Sequence, residues 1–532
     1  MKLILRDYIA TLKEEFELES VLQNILFLDN YKDITTPQKG IRQHGVDISC
    51  SKGNTSYLFV LKQGDIDRKI WNTEINSVRQ SLDEIKDTYL RFNSDVLKPK
   101  IKIILCTNGT ILQEVKNDWD GYIIRNKVKN IEYEFWGLDT LVNYTFDLFP
   151  NEYIFDQDKM SYLRKTLYFS NECDNDLRYL SYLLDSILND LSNSNRNTRQ
   201  YRKNLCIYSL ITKMCCEYCI DNDNNRVAIR IAEKAMIKFW NYLLQKNLFE
   251  KTNEISVLLD ITKEYEKVNR KYICNIEKVC TISPSFPIYN SLEYRLQVYE
   301  AIGFISVYTN YLLYYYGENK EARNNTQILI LLLNNNIGGW RYPVYDLNSI
   351  EINSLLLLLY KVDKTSCKNV LIAIKDGMIT KMDLSKYHPI EIKNYDKAVS
   401  LEFNDNIGDF ESTNLIYSLF EWLFILGMND EVEDFRTYLE KKFPKLSYNP
   451  WTIKLSDEEI YFNGTNYRTG TYISNYGKMD VMSLKKLIKK IIKISDYKKF
   501  RTIKYSGEPY FLIAAKVNEM PIPPFLWQIF CN

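Results

Sequence analysis

Residues 45–64 read GVDISCSKGNTSYLFVLKQG. Apolar and polar residues alternate through GVDISC (45–50), SYLFVLK (56–62) is apolar over most of its length, and the polar SKGNT lies between them. Two such runs joined by a short loop containing glycine predict a β-hairpin. Side chains two apart on a strand share a face, so Val60 and Lys62 are expected together, beside the strand that carries Asp47. A carboxylate and an ammonium group then converge at neighbouring strand ends.

Working outward, Phe16, Leu18, Val21, Leu22, Ile25 and Leu26 recur at three- and four-residue spacing and predict an amphipathic helix within residues 11–29. The turn-rich TTPQKG (35–40) separates it from the hairpin. Downstream, the pattern predicts a helix from about Trp71 to Leu90, a strand KIKIILCTN (100–108), a helix near Ile111–Tyr122 and a strand IEYEFWG (131–137). The order α-β-β-α-β-α-β describes an α/β mixed sheet with helices on its faces, occupying residues 1–150. From Asp174 the periodicity turns to long helices, with Leu177, Leu180, Leu184, Ile187 and Leu188 forming the first stripe. Residues 151–449 therefore read as a mostly α-helical array of hairpins, whose stacked helices offer a face for sensing or partner binding. A small α+β region, 450–532, follows. It carries strand-like pieces at Glu459–Phe462 and Thr469–Ile473 and the basic helix SLKKLIKKIIKI (483–494).

Composition narrows the function. At 532 residues the chain exceeds a single-core domain, and 45% hydrophobic with 26% charged residues is ordinary for a globular protein. Lys+Arg 69 against Asp+Glu 68 gives a net charge of +1, which excludes coating of nucleic acid through bulk charge. Two histidines, His44 and His388, leave little material for histidine-based zinc chemistry. Eleven scattered cysteines and a start that turns acidic without a signal-peptide pattern point to a reducing, cytoplasmic setting. The most apolar stretch, Ala301–Gly317, is short for a membrane span and holds Thr309 and Asn310, so it is expected as a buried helix with no integral membrane segment. No GxxxxGK[ST] loop occurs, so an NTP-driven motor would be a separately encoded ATPase or helicase. Cys215, Cys216 and Cys219 in MCCEYC read as helix interior rather than as a zinc or redox motif.

Residues 10–145 resemble the PD-(D/E)xK restriction-endonuclease-like superfamily, particularly its Mrr-like branch and relatives in bacterial defence systems. The resemblance rests on LESVLQNIL with Glu19, GVDI with Asp47, and FVLKQG with Lys62 and Gln63, followed by a helix with Arg79 and Gln80. It implies that Asp47 and the Leu61 backbone carbonyl hold Mg²⁺, that Lys62 orients the attacking water, and that Glu19 completes the catalytic site. Gln63, Arg79 and Gln80 would contact phosphates or base edges. Where the family has a second carboxylate, two residues before the lysine, this chain has Val60, which cannot hold a hard cation. Either Glu19, Glu17 or Asp65 compensates, or the fold binds nucleic acid without cutting it.

A second basic element lies far along the chain. Leu484, Leu487, Ile488, Ile491 and Ile492 form an apolar stripe opposite Lys485, Lys486, Lys489, Lys490 and Lys493. Residues 451–532 carry 13 Lys+Arg against 7 Asp+Glu, whereas residues 1–150 carry 20 against 22. The candidates are a phosphate track using Lys485, Lys486, Lys489 and Lys490, a membrane-surface helix, and an ordinary docked helix. The expected function is a nucleic-acid-binding, Mg²⁺-dependent endonuclease of an antiviral defence system, acting on DNA ahead of RNA and forming a homo-oligomer. The alternative is a non-catalytic interaction scaffold built on a degenerate nuclease domain.

Overall fold

The alternation at 45–64 folds as a hairpin, and the whole sheet is laid down on it. The computed structural model describes residues 6, 9–10, 12, 17–36, 44–73, 77–93, 97–148, 157–170, 177–384, 398–399, 412–444, 446–448, 451–464, 471–472, 481–492 and 497–526. Five strands, Lys32–Thr35 (β1), Ile48–Lys52 (β2), Thr55–Lys62 (β3), Lys100–Thr107 (β4) and Ile131–Trp136 (β5), form one sheet in sequence order. β1, β2 and β3 pair antiparallel, while β3, β4 and β5 run parallel. The hairpin register runs from Ile48 opposite Phe59 to Lys52 opposite Thr55, closed by the two-residue turn Gly53-Asn54 with Gly53 at φ +60°. β1 is an addition to the sequence expectation: KDIT has one strongly apolar residue and is short and largely exposed, so its pattern is weak. Most of TTPQKG lies outside the described residues.

Parallel strands need crossovers, and helices supply them. After the first helix, Glu19–Leu28 (α1), come Arg68–Asn72 (α2) and Val78–Glu84 (α3), the latter continuing through a π-helical turn at Ile85–Tyr89 to Phe92, and together they link β3 to β4. Gln113–Arg125 (α4) links β4 to β5. Leu58, Val60, Ile103 and Leu105 on one sheet face pack with Trp71, Val78, Leu82, Val115 and Trp119. Phe59, Leu61, Ile104 and Cys106, which alternate with them, are buried too, and Phe59 meets Trp136 edge to face at 5.2 Å. Burial on both faces is why SYLFVLK and KIKIILCT read as near-continuous apolar runs.

The chain divides into two compact units, Met1–Val227 and Ala228–Asn532. The first holds the sheet and, after Leu138–Leu148 (α5), three further helices: Gln157–Phe169 (α6), Arg178–Asn193 (α7) and Arg199–Asp221 (α8). Cys215, Cys216 and Cys219 are buried inside α8, and burial raises the Cys219 thiol to about 11. The second unit is mostly helical. Its main helices, after Asn225–Lys246 (α9) that begins at the boundary, are Thr252–Val279 (α10), Ser291–Tyr316 (α11), Lys320–Asn335 (α12), Ser349–Val362 (α13), Lys364–Leu384 (α14), Asn414–Ile425 (α15), Asn429–Lys442 (α16), Val481–Ile492 (α17) and Glu508–Asn518 (α18). Among the described residues no helix is long and apolar enough to cross a membrane. Residues 301–312 are buried within α11, whose last two residues, Tyr315 and Tyr316, are exposed. One expected strand is corrected: Glu459–Phe462 lies in a short helix, Glu458–Asn463, because Glu458 is buried and accepts from the Arg501 and Thr502 amides at 3.1 and 2.7 Å.

Glu351, in the first turn of α13, lies against α11 at Gly303, where an added Cβ would come within 2.8 Å of its Cγ. Its Oε2 is buried without a hydrogen-bond partner, and burial raises the carboxyl to about 7 despite the favourable charge of Lys516. The unfolded chain loses this proton at an ordinary carboxylate value, so the folded state holds it over a higher range. The stability it contributes is complete below that ordinary value and is lost as pH rises through about 7. Glu351→Gln should therefore flatten the fall in melting temperature between about pH 5 and pH 8. An unchanged slope in thermal melts would refute the assignment.

Candidate functional site

The local backbone at GVD explains the site. Gly45, at φ +78°, lies so close to α3 that a Cβ would fall 2.1 Å from the Ser81 carbonyl oxygen. Val46 then enters the apolar core, and the Asp47 N–H donates to the Phe59 carbonyl at 2.9 Å. One carboxylate oxygen, Oδ2 of Asp47, accepts from the Leu61 N–H at 2.7 Å. The side chain thus replaces a strand neighbour as acceptor for a buried amide, in a charge-assisted bond. The neighbouring Cys106 thiol is raised well above its ordinary value by burial and then by the charge of Asp47.

Lys62 ends β3, half-buried, in register with Thr107 at the end of β4. Val60, on the same face by alternation, is 0% exposed within the apolar core, so the position where the resemblance implies a second carboxylate lies inside that core. Past Lys62, Gln63 is exposed and Gly64 turns at φ +73°. Asn108 is the pivot of this edge. Its Oδ1 accepts from the Gly64 N–H at 2.8 Å, and its Nδ2 donates to the carbonyls of Ile9, Ala10 and Leu12 at 3.0, 3.2 and 2.6 Å. Sequence reading missed this role, although KQG and TNG at successive strand ends mark a shared turn. A Cβ at Gly109 would lie 2.3 Å from the Gly64 backbone.

The remaining candidates lie outside β2 and β3. Glu19 opens α1 and accepts from the Gln23 amide at 3.3 Å. Asp65 accepts from the Thr110 N–H and hydroxyl at 2.8 and 3.0 Å, and Asp67 caps α2 through the Ile70 N–H. Arg79 and Gln80 project to solvent from α3, with Gln80 donating to Glu84 at 3.0 Å. In the second unit, Ile488 of α17 is buried while Lys486 and Lys489 are exposed. Lys485 is drawn back onto its own unit, donating to Asn429 at 3.1 Å and lying 5.7 Å from the Phe424 ring. The Lys490 side chain lies outside the described residues.

Mg²⁺ takes near-octahedral oxygen ligation and is usually held through one or two carboxylates. Of the ligands that the resemblance implies, Asp47 brings one carboxylate, whose Oδ2 accepts from the Leu61 amide, Leu61 brings a backbone carbonyl and Val60 brings none, while Asp65 accepts from Thr110. Among the described residues no group of three His, Cys, Asp or Glu side chains converges on a cation position. Comparison with protein-family models, curated proteins and solved structures finds no match to this chain.

If Asp47 serves the Leu61 amide, Asp47→Asn keeps an acceptor and should shift the urea midpoint little, whereas Asp47→Ala orphans a buried N–H and should cost about 1–3 kcal/mol. Equal destabilisation by both, or none by either, would contradict that role. Asn108→Ala should cost about 2–4 kcal/mol and expose the segment around Leu12 to limited proteolysis.

Proposed function

We propose that the chain is a nucleic-acid-binding protein whose N-terminal unit has a restriction-endonuclease-like build and works by binding rather than by Mg²⁺-dependent cleavage. The observation that carries this reading is the fate of the two metal-binding positions implied by the resemblance: Asp47 serves the Leu61 amide and Val60 serves the core. Lys62 and Gln63, at the end of β3, then offer a cation and an amide to a phosphate backbone, and Arg79 and Gln80 add donors on α3. The exposed Lys486 and Lys489 of α17 give the second unit a cationic face of its own. The helical unit is read as the part that senses a partner or mediates self-association, in a bacterial antiviral defence setting. That setting rests on the resemblance of GVDI and FVLKQG alone.

A second reading, the Mg²⁺-dependent endonuclease, is favoured by the placement of Asp47, just before β2, against Leu61, the residue before Lys62 on β3. The two readings separate in one assay. End-labelled DNA and RNA are incubated with the full chain and Mg²⁺ or Mn²⁺, with binding followed in parallel. The expected result is retention of nucleic acid without new ends. Cleavage that disappears in Asp47→Ala and Lys62→Ala would establish the endonuclease instead. Val60→Asp adds a test from the other side. Placing a carboxylate in the apolar core should destabilise the fold by about 3 kcal/mol or more, without conferring cleavage.

A further inference from the structure

The turn between α7 and α8 carries charge that the fold does not balance. From Leu191 to Cys216 the chain has no Asp or Glu, yet it holds Arg196, Arg199, Arg202, Lys203 and Lys213. Lys213 turns inward and donates to Ser20 Oγ at 3.0 Å. The other four stay at the turn and the start of α8, and among the described residues none of them forms an ion pair. Arg199, Arg202 and Lys203 stand at i, i+3 and i+4, so they share one helical face.

Three physical costs meet there. The start of α8 already bears the positive end of the helix dipole, and its first turn has no acid to offset it. Arg202 lies over the Phe27 ring at 5.2 Å with a buried Nε that has no hydrogen-bond partner. Lys203 has its ammonium pushed below its ordinary value by burial and by Arg199. The unbalanced helix dipole and the repulsion between Arg199 and Lys203 are relieved by an anion, and guanidinium groups bind phosphate oxygens in pairs.

We infer that this turn is a phosphate-backbone contact surface for nucleic acid, formed by Arg196, Arg199 and Lys203 with Arg202 behind them. It deepens the nucleic-acid reading of the N-terminal unit and rests on it. The residues around the cations fit a polynucleotide: Asn195, Asn197, Thr198 and Gln200 are exposed hydrogen-bonding groups. A bilayer surface would need apolar side chains to insert, and residues 192–200 present none. The frame is ordered, since Thr198 Oγ1 accepts from the Tyr201 N–H at 3.3 Å and donates to the Asn195 carbonyl at 2.6 Å.

The test compares the full chain with its Arg196→Gln, Arg199→Gln, Lys203→Gln triple variant. Anisotropy measures binding to labelled duplex DNA, single-stranded DNA and RNA between about 50 and 200 mM salt. On duplex the variant should bind at least about tenfold more weakly at the low end, with the slope of log K against log salt reduced by about 3. Arg196→Gln alone, in the loop before α8, should remove about one unit of slope and serves if the triple variant does not fold. Wild-type binding with an unchanged slope in both variants would overturn this inference and leave the nucleic-acid reading standing. No wild-type binding to any of the three polymers would overturn both. Binding only to phosphatidylserine vesicles, lost in the variant, would reassign the turn to a membrane surface and overturn it as well.

Discussion

A single charge-assisted bond, from the Leu61 amide to the Asp47 carboxylate, sets how the N-terminal sheet ends. Beyond Ile48 the backbone of β2 leaves the ladder, because Gly45 must close onto the Ser81 carbonyl and Val46 must reach the core. The next amide of β3 would then be buried without an acceptor, at a cost of about 1–3 kcal/mol. An aspartate at position 47 removes that cost. The same bond holds the carboxylate beside Cys106, and Lys62 ends β3, the central strand of the sheet. The GVD turn and the apolar strand thus each have a part in closing the hairpin.

Much of this was legible because the apolar pattern carries it. The hairpin, β4, α4 and β5 all lie where period-two and helical spacing place them, since two-face burial leaves an unbroken apolar run. β1 was hidden because an exposed edge strand has little pattern to show. Glu459–Phe462 misled for a local reason: YF beside charged residues imitates a short strand, whereas the buried Glu458 ties the segment to two backbone amides. At the site, residue types were legible and commitments were not. Nothing in the letters of Asp65 announces that Thr110 uses it, nor in Lys485 that Asn429 and Phe424 draw it back.

The helical unit follows a different logic, in which polar groups are buried in partnership. Lys516 places its ammonium on both carboxylate oxygens of Glu233 at 2.7 and 2.9 Å and rests 3.5 Å from the Phe304 ring. Truncating one member of such a pair would leave an uncompensated buried charge, so the pair constrains how α9, α11 and α18 pack even if its net worth is small. Glu351 is the member left without a full partner, and its carboxyl adapts by keeping its proton. Burial acts oppositely on the two kinds of group: it holds acids protonated, and it makes a lysine depend on its counter-ion.

Charge placement, rather than charge total, then decides what the surface can attract. With a net charge of +1 the chain has almost no long-range pull on a polyanion. At physiological salt a charge is felt over about 8 Å, while helical residues three or four apart lie about 5–6 Å from one another. Arg199, Arg202 and Lys203 therefore act as one multivalent cation, whereas basic residues already tied to acids, such as Lys159 to Asp190 at 3.0 Å, contribute little. Repulsion within the cluster is a standing cost to the free protein. A phosphate chain would convert that cost into affinity by neutralising several cations at once and releasing its own counter-ions, which is the physical basis of the contact surface proposed for this short, acid-free turn.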